Sequence, residues 1–242
     1  MKRLNGKTAW ITGGKRIGQR VAELLAKNGC SIILSYNKSK KEAEKTQKSL
    51  KTLKIKTLAV QCDVSSRKSV AHAANKIKKS FKKIDILILM ASIFEKKNFK
   101  SLNENDFRRN FEVHVLGTLF PIQLCLGMMP KGSHIITVSD EATIGKHYEG
   151  YLPYLVSKNA INYLTKALSG ELKGVYINTI APGPVLKPSG MGEKRWKQIK
   201  KELDCKMTDK EAVERFSKLT LKLSTIKSSG GIYSLVSKKF KF

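Results

Sequence analysis

The sequence predicts an α/β fold: a doubly wound parallel sheet of about seven strands with helices on both faces. Three observations predict it. Strand-like and helix-like stretches alternate along the chain, which is the order that gives parallel strands joined by crossover helices. The strand-like stretches are apolar at successive residues, as in strands that are buried on both faces. The length of 242 residues fits one large domain better than two small ones.

The first half of the chain contains four predicted strands and three predicted helices. The helices have apolar residues at helical spacing, whereas the strands are short and apolar. The predicted strands are Thr8–Thr12, Ser31–Tyr36, Thr57–Gln61 and Ile84–Met90, and the helices between them are Ile17–Lys27, Lys40–Leu53 and Ser66–Phe81.

The second half continues the alternation. Its predicted elements are two helical stretches within Asn103–Met129 broken near Gly117, strand Ser133–Val138, helix Tyr154–Leu172, strand Val175–Ile180 and a short last strand Ile232–Val236. The Pro/Gly-rich stretch 181–192 and the charged helix Glu193–Lys201 look like an insertion near the ligand crevice. We therefore expect one domain over residues 1–242, with a substrate lid at about residues 184–222.

The charge is strongly positive, with 47 Lys and Arg against 19 Asp and Glu, or +28 formally. A basic nucleic-acid-binding or surface-binding protein is one interpretation. The lysines are spread along the chain, up to the tail Lys238–Lys241, without an arginine stripe or regular aromatic residues between them. This favours a general lysine bias over a dedicated nucleic-acid function. The charge would still attract phosphorylated or carrier-bound acidic substrates.

The remaining composition favours a cytoplasmic protein. No apolar run approaches the ~18 residues of a membrane span. The N-terminus passes directly into a strand-like run, so we expect no signal peptide. Four widely spaced cysteines without a Cys-x-x-Cys motif are expected to be reduced thiols that bind no metal. They are Cys30, Cys62, Cys125 and Cys205.

A glycine-rich loop follows the first predicted strand. It reads Thr12-Gly-Gly-Lys-Arg-Ile-Gly18 and opens a helix. Glycines allow a tight turn close to a phosphate, and the helix N-terminus presents free N–H groups to the anion. The spacing differs from the usual G-x-G-x-x-G, and a turn without a ligand is the simpler alternative. The predicted phosphate-loop residues are Gly13, Lys15, Arg16, Ile17 and Gly18.

The loop after the second strand favours NADP(H) over NAD(H). Sites for NAD usually have an acidic residue there that binds the ribose hydroxyl groups. This chain has Asn37, Lys38 and Ser39 instead, which with Lys15 and Arg16 could receive a 2′-phosphate. Alternatively, Lys38 only begins the lysine-rich helix.

Asp63 and Val64 follow the third strand, where an aspartate could hydrogen-bond an adenine amino group. A helix N-cap role for Asp63 or Ser65 is nearly as well supported.

Tyr154 and Lys158 lie four positions apart, so on a helix they share one face. A nearby ammonium favours the phenolate, and we expect it to lower the tyrosine pKa from ~10. Such a tyrosine can give and take a proton near neutral pH. The spacing is common by chance, so its meaning depends on the other motifs.

Together these landmarks resemble the short-chain dehydrogenases/reductases of the classical type over nearly the whole chain. The resemblance implies a single-domain Rossmann fold. The Lys15-Arg16 pair, Ala91-Ser-Ile-Phe94, Ser139-Asp140 and Leu152-Pro-Tyr154 are especially similar to the pteridine-reductase-like branch. The 3-oxoacyl-carrier-protein reductases are close relatives of that branch. The resemblance thus implies an NADPH-dependent reductase of a C=O or C=N bond, in a pteridine-like or 3-oxoacyl-like substrate that is small or carrier-bound.

The resemblance also implies roles for single residues. Tyr154 is the expected general acid, and Lys158 is expected to bind the nicotinamide ribose and lower the tyrosine pKa. Asp140, after Ser139, aligns with the position that holds the substrate or orients the tyrosine. Because this segment contains a one-residue insertion, Ser139, Asp140 and Glu141 all stay candidates. The other implied cofactor contacts are Ala91, Ser92, Pro182, Gly183 and Val185.

Several features depart from the family pattern. The phosphate loop is one residue short, and Leu89-Met90 replaces two asparagines after the fourth strand. His114 stands where an asparagine often completes a proton relay, although a structural role is at least as well supported. The last strand lacks the usual Asp-Gly-Gly. A homologue that binds nucleotide without turnover is therefore the alternative function. The family also implies a homodimer or homotetramer.

Overall fold

The structure is a computed structural model that describes residues 3–236. Its strands are β1 (Thr8–Thr12), β2 (Ser31–Tyr36), β3 (Thr57–Gln61), β4 (Ile86–Leu89), β5 (Ser133–Val138), β6 (Val175–Ala181) and β7 (Ile232–Ser234). They form one parallel sheet in the order β3-β2-β1-β4-β5-β6-β7. The predicted fold class is confirmed.

Eight α-helices flank this sheet within residues 3–236. They are α1 (Ile17–Lys27), α2 (Lys40–Lys51), α3 (Arg67–Ser80), α4 (Glu104–Phe111), α5 (Gly117–Cys125), α6 (Leu152–Glu171), α7 (Glu193–Glu202) and α8 (Asp209–Leu223). Alternate residues of β1 enter two different apolar clusters: Ile11 packs with residues of α1 and α8, and Trp10 packs with residues of α3 and α5. Because successive strand residues point to opposite faces, the helices cover both sides of the sheet.

The strand order reverses between β1 and β4. From β1 the chain moves outward to β2 and β3, then returns to place β4 on the other side of β1. Ligands of doubly wound sheets bind at such a reversal, beyond the carboxyl ends of the strands. The phosphate loop after Thr12 and the segment after Leu89 both begin at this point, because these two residues are partners in the ladder.

Most predicted elements agree with the structure to within two residues. Helix α8 was missed, since the lid was predicted without a second helix. A sequence signal for it exists: the Thr208 side chain accepts from the Glu211 backbone N–H, and the Glu211 carboxylate accepts from the Thr208 N–H. This is the capping box that starts many helices.

The predicted break near Gly117 is a π-helical segment, Glu112–Leu116, between α4 and α5. A side chain at Gly117 would not fit, because its Cβ would lie 2.8 Å from Val64 Cγ2. The helical stretch Glu104–Met128 passes a length and hydropathy test for a membrane span, a test that core helices also pass. Side chains from α5, such as Ile122, pack in the apolar core here.

The four cysteines are free and buried. Burial raises the pKa of Cys30, Cys62 and Cys125 to about 12, so these thiols are protonated at neutral pH. Within residues 3–236, no group of three or more His, Cys, Asp and Glu residues could hold a metal ion. The lysine-rich tail lies outside the described residues.

Candidate active site

The phosphate loop makes a turn that only glycine permits at two positions. Gly13 has a φ of +73°, in the left-handed region. A Cβ on Gly18 would lie 2.4 Å from the Gly13 carbonyl oxygen, so the first turn of α1 packs directly on the loop. Arg16 precedes α1 with a φ of 58°, and its side chain does not cap the helix. The N-terminus of α1 thus faces the cleft without a side-chain acceptor of its own.

Thr12 supports the segment that follows β4. Its Oγ1 accepts hydrogen bonds from the backbone N–H groups of Met90 at 3.1 Å and Ala91 at 3.3 Å. The same region carries two asparagines in the family that the sequence resembles. Here the threonine hydroxyl holds the end of β4 against the end of β1, so local support does not depend on the missing amides.

A cleft of about 880 Å³ runs between the phosphate loop and the end of β4. Most of the residues predicted to bind the cofactor line it: Gly13, Lys15, Arg16, Ile17, Asn37, Lys38, Ser39, Asp63, Val64, Ala91 and Ser92. Gly18 does not line the cleft, because it packs against the Gly13 carbonyl beneath the loop. The sequence-predicted cleft is therefore assembled by the fold from four separate loops.

The two basic loop residues already have partners. Lys15 Nζ lies 2.7 Å from Glu42 Oε1, and both side chains are about half exposed. The Arg16 guanidinium donates to the Lys187 carbonyl, which links the phosphate loop to the segment after β6. Sequence reasoning missed Glu42, although its position in the first turn of the lysine-rich helix places an acid near the loop.

Asp63 does not cap a helix. Its Oδ1 accepts from the Ser65 N–H at 3.0 Å and from the Ser65 hydroxyl at 2.6 Å, which closes a local turn. The N-cap of α3 is Ser66, whose hydroxyl accepts from the Ser69 N–H. The alternative N-cap role for Asp63 or Ser65 is therefore wrong, and Asp63 lies at the cleft wall.

Helix α6 carries Tyr154 and Lys158 into the interior. Pro153 lies in its first turn, where the missing N–H costs nothing. The Tyr154 hydroxyl donates to Asp140 Oδ2 at 2.8 Å. Tyr148 donates to the same oxygen at 3.0 Å, and the Ala142 N–H donates to Oδ1 at 2.9 Å. One buried carboxylate thus orients the tyrosine hydroxyl.

The expected lowering of the Tyr154 pKa is not found. Burial, followed by the charge of Asp140, raises the pKa of this phenol well above its usual value of 10. Lys158 Nζ lies 5.6 Å from the centre of the Tyr154 ring. Its hydrogen bond runs to the Val138 carbonyl oxygen at 2.8 Å, rather than to the phenol. The expectation failed because four-residue spacing fixes a shared helix face, not which partner the ammonium meets.

Lys158 is 2% exposed, and its burial lowers its pKa from 10.5 to about 8. Burial likewise raises the pKa of Asp140. Lys158 and Asp140 stabilise each other's charged forms, since each attraction opposes the effect of burial. The site therefore contains one ammonium and one carboxyl group in a largely dry environment.

The structure separates the three candidates after β5. Asp140 contacts Tyr154. Glu141 turns away and accepts a hydrogen bond from the Ser234 hydroxyl of β7. Ser139 is 1% exposed, and within the described residues its Oγ has no hydrogen-bond partner. Ser139 nevertheless lines the cavity that contains Tyr154.

His114 joins the cleft to α6. Its Nε2 accepts from the Ile93 N–H at 3.2 Å and contacts Ser92 Oγ at 3.0 Å. With Nε2 accepting, the neutral ring carries its proton on Nδ1, which donates to Ser157 Oγ at 2.8 Å. Burial, then the charge of Lys158, lowers the His114 pKa to about 2. This histidine is a neutral structural link at physiological pH.

A second cavity adjoins the cleft, and Tyr154 is one of the residues that line it. It is also lined by Pro182, Gly183 and Val185, which are predicted cofactor contacts, and by Phe94 and Tyr148. Met90 and Ser92 line both spaces, so the cavity and the cleft share a wall. A molecule in the cleft would reach Tyr154 through this shared region.

The family model for short chain dehydrogenases matches residues 7–200. The chain belongs to this family. An uncharacterized oxidoreductase of Methylorubrum extorquens is 30% identical over 193 residues, which are 77% of this chain and 76% of that protein. Glucose and ribitol dehydrogenase homolog 2 of Arabidopsis thaliana is 30% identical over 217 residues, 84% of this chain and 74% of that protein.

Solved structures of short-chain dehydrogenases share the fold. An enzyme of this family from Serratia marcescens has a TM-score of 0.86 at 24% identity and covers 96% of this chain and 97% of its own. A short-chain dehydrogenase from Burkholderia cenocepacia in complex with NADP has a TM-score of 0.85 at 22% identity, with coverage of 96% and 97%. As a short-chain dehydrogenase, the protein is an oxidoreductase.

Tyr148 is a residue at the site of this short-chain dehydrogenase that belongs to none of the motifs in its sequence. Its hydroxyl contact with Asp140 depends on the path of the loop between β5 and α6. No motif in that loop indicates where the tyrosine points. Phe94 lies edge-on to Tyr154, with ring centres 4.8 Å apart, and forms the opposite wall.

Proposed function

We propose that the protein is an NADPH-dependent reductase of a C=O or C=N bond, with Tyr154 as the general acid. The observation that carries this proposal is the hydrogen bond from the Tyr154 hydroxyl to Asp140, beside a cavity that shares a wall with the phosphate-loop cleft. We include in the proposal a single domain over residues 1–242 with its lid at about 184–222, a cytoplasmic location, and a homodimer or homotetramer.

The cleft fits a dinucleotide. The phosphate loop can turn tightly because Gly13 and Gly18 have no Cβ, and Ile17 at the N-terminus of α1 lines the cleft, where free N–H groups would face a phosphate. Preference for NADP(H) is supported by Asn37, Lys38 and Ser39 at the cleft wall, where the ordinary NAD site has an acid. Arg16 and Lys15 would bind the 2′-phosphate after leaving the Lys187 carbonyl and Glu42.

When bound, the nicotinamide supplies the hydride. Tyr154 gives its hydroxyl proton to the substrate atom beside the one that accepts the hydride. Asp140 orients the hydroxyl, and Lys158 provides positive charge near the phenolate that forms. Because Lys158 has a pKa of about 8, it is mostly charged at neutral pH. Ser139, whose Oγ has no hydrogen-bond partner within residues 3–236, is a further candidate to hydrogen-bond the substrate.

Among substrates, a pteridine-like heterocycle suits the cavity better than a 3-oxoacyl chain. The Asp140 carboxylate can accept a hydrogen bond from a ring N–H, which a thioester lacks. The Phe94 ring supplies an aromatic wall for a flat molecule. A carrier-bound 3-oxoacyl substrate stays the second candidate, and the net charge of +28 favours an acidic carrier.

The test is NADPH oxidation by the purified protein with a dihydropterin, a quinone, a diketone and an acetoacetyl thioester. We expect turnover with at least one, fastest with the pterin. NADPH binding without turnover of any of these would support the nucleotide-binding homologue instead. Binding to DNA or RNA that falls steeply with salt, together with no NADPH binding, would support the basic-protein alternative.

A further inference from the structure

Asp140 Oδ2 accepts hydrogen bonds from two phenols, although only one of them has a role in the proposed reaction. Tyr154 lies at 2.8 Å and Tyr148 at 3.0 Å. Tyr148 is 3% exposed, so its hydroxyl is shielded from solvent. An ionised carboxylate oxygen has two acceptor sites, so both donors can bind at once.

We propose that Tyr148 is a positioning residue: its hydroxyl keeps Asp140 ionised and hydrogen-bonded when Tyr154 turns its own hydroxyl towards a substrate. The first half of this statement concerns the free protein. The second half rests on the function proposed above, because it requires Tyr154 to release its proton.

The physical reason is the cost of a buried charge without donors. Turning Tyr154 away would remove one of the two phenols from Oδ2, and a buried carboxylate that loses a donor becomes less stable. With Tyr148 in place, Oδ2 keeps a donor while Oδ1 keeps the Ala142 N–H. The Tyr154 hydroxyl can then leave without forcing Asp140 to take up a proton.

Other charged groups around Asp140 do not replace Tyr148. Lys158 attracts the carboxylate, yet its ammonium donates to the Val138 carbonyl. Glu141 is the neighbouring acid, and its interaction with Asp140 is repulsive. His114 is neutral, and its ring centre lies 5.5 Å from that of Tyr154. Hydrogen bonds to Asp140 itself come from Tyr148, Tyr154 and the backbone.

Aromatic packing holds the Tyr148 ring independently of its hydroxyl. The ring stands edge-on to Tyr151, with centres 5.3 Å apart, and to Phe94 at 6.1 Å. A Tyr148→Phe change therefore removes the hydroxyl and keeps the packing. Tyr151→Phe is the matched control, because Tyr151 belongs to the same aromatic cluster while its hydroxyl interacts with Arg195.

The experiment follows Asp140 ionisation in the free protein by ¹³C NMR of labelled aspartate, with the signal assigned by Asp140→Asn. A hydrogen bond to a charged group stabilises the ionised form, so Tyr148→Phe should raise the titration midpoint by about one to two pH units. Tyr151→Phe should leave the midpoint unchanged. Equal midpoints in wild type and Tyr148→Phe would overturn the proposal, and circular dichroism establishes that both variants are folded.

Kinetics test the second half. With the substrate that the wild type turns over, Tyr148→Phe should lower kcat about 10- to 100-fold. The acidic limb of the plot of kcat against pH should move to higher pH. Tyr151→Phe should leave that limb in place. Unchanged kcat and limb in Tyr148→Phe would contradict the role in releasing Tyr154. If neither the wild type nor the variants turn over any substrate, the proposed function fails. The NMR titration still decides whether the Tyr148 hydroxyl keeps Asp140 ionised in the free protein.

Discussion

His114 gives a prediction that separates a structural link from a proton relay. The ring is 1% exposed, and its pKa in the folded protein is about 2, against an ordinary value of 6.5. Between these pH values the unfolded chain binds a proton at this residue and the folded protein does not. The free energy of unfolding must therefore fall as the pH is lowered.

The size of this effect follows from the two pKa values. From pH 7.5 to pH 4.5, one such histidine lowers the free energy of unfolding by about 3 kcal/mol. His114→Asn removes the titrating group and should remove this share of the acid sensitivity, while its lost hydrogen bonds lower stability at every pH. A proton relay at neutral pH would instead need a histidine that titrates near pH 7.

The assay is urea denaturation of wild type and His114→Asn at several pH values in that range. His147→Asn is the control, because the same substitution there changes an exposed histidine. The difference in unfolding free energy between wild type and His114→Asn should shrink by about 3 kcal/mol on acidification. A constant difference across the range would refute the assignment of a neutral, buried His114.

Three further changes test the cleft. Gly18→Ala places a Cβ 2.4 Å from the Gly13 carbonyl oxygen, so NADPH affinity measured by fluorescence titration should fall at least about 10-fold; unchanged affinity would contradict the loop geometry. Glu42→Gln frees Lys15 from its ion pair, so NADPH binding measured by calorimetry should tighten about 2- to 5-fold, while NADH binding should change little. An equal effect on NADPH and NADH binding would show that Lys15 does not bind the 2′-phosphate. Thr12→Val removes the acceptor for two backbone N–H groups after β4 and should lower the unfolding free energy by about 1–3 kcal/mol, whereas a loss below 0.5 kcal/mol would show that support lies elsewhere.

The sequence predicted the fold well because the strands are continuous apolar runs and their carboxyl ends carry the recognisable motifs. The parallel pairing of β1 with β4 then brings the phosphate loop and the segment after β4 to the same edge of the sheet. The predicted elements lack helix α8, although Thr208 and Glu211 form a capping box that the sequence pattern contains.

Side-chain partners were less predictable. The sequence put Tyr154 and Lys158 on one helix face, yet the ammonium's partner is the Val138 carbonyl and the phenol's partner is Asp140. Which of Ser139, Asp140 and Glu141 contacts Tyr154 depends on the path of the backbone after β5. Such contacts are set by burial and by loop paths between elements, and residue spacing within one element carries no information about them.

The most direct test of the central claim is the rate of NADPH oxidation by wild type and Tyr154→Phe, with NADPH binding measured on both. General acid catalysis typically contributes a factor of about 100 to 10,000. We predict that Tyr154→Phe lowers kcat at least about 100-fold and leaves NADPH affinity within about 3-fold of wild type. Equal turnover by the two proteins would contradict the assignment of Tyr154 as the proton donor.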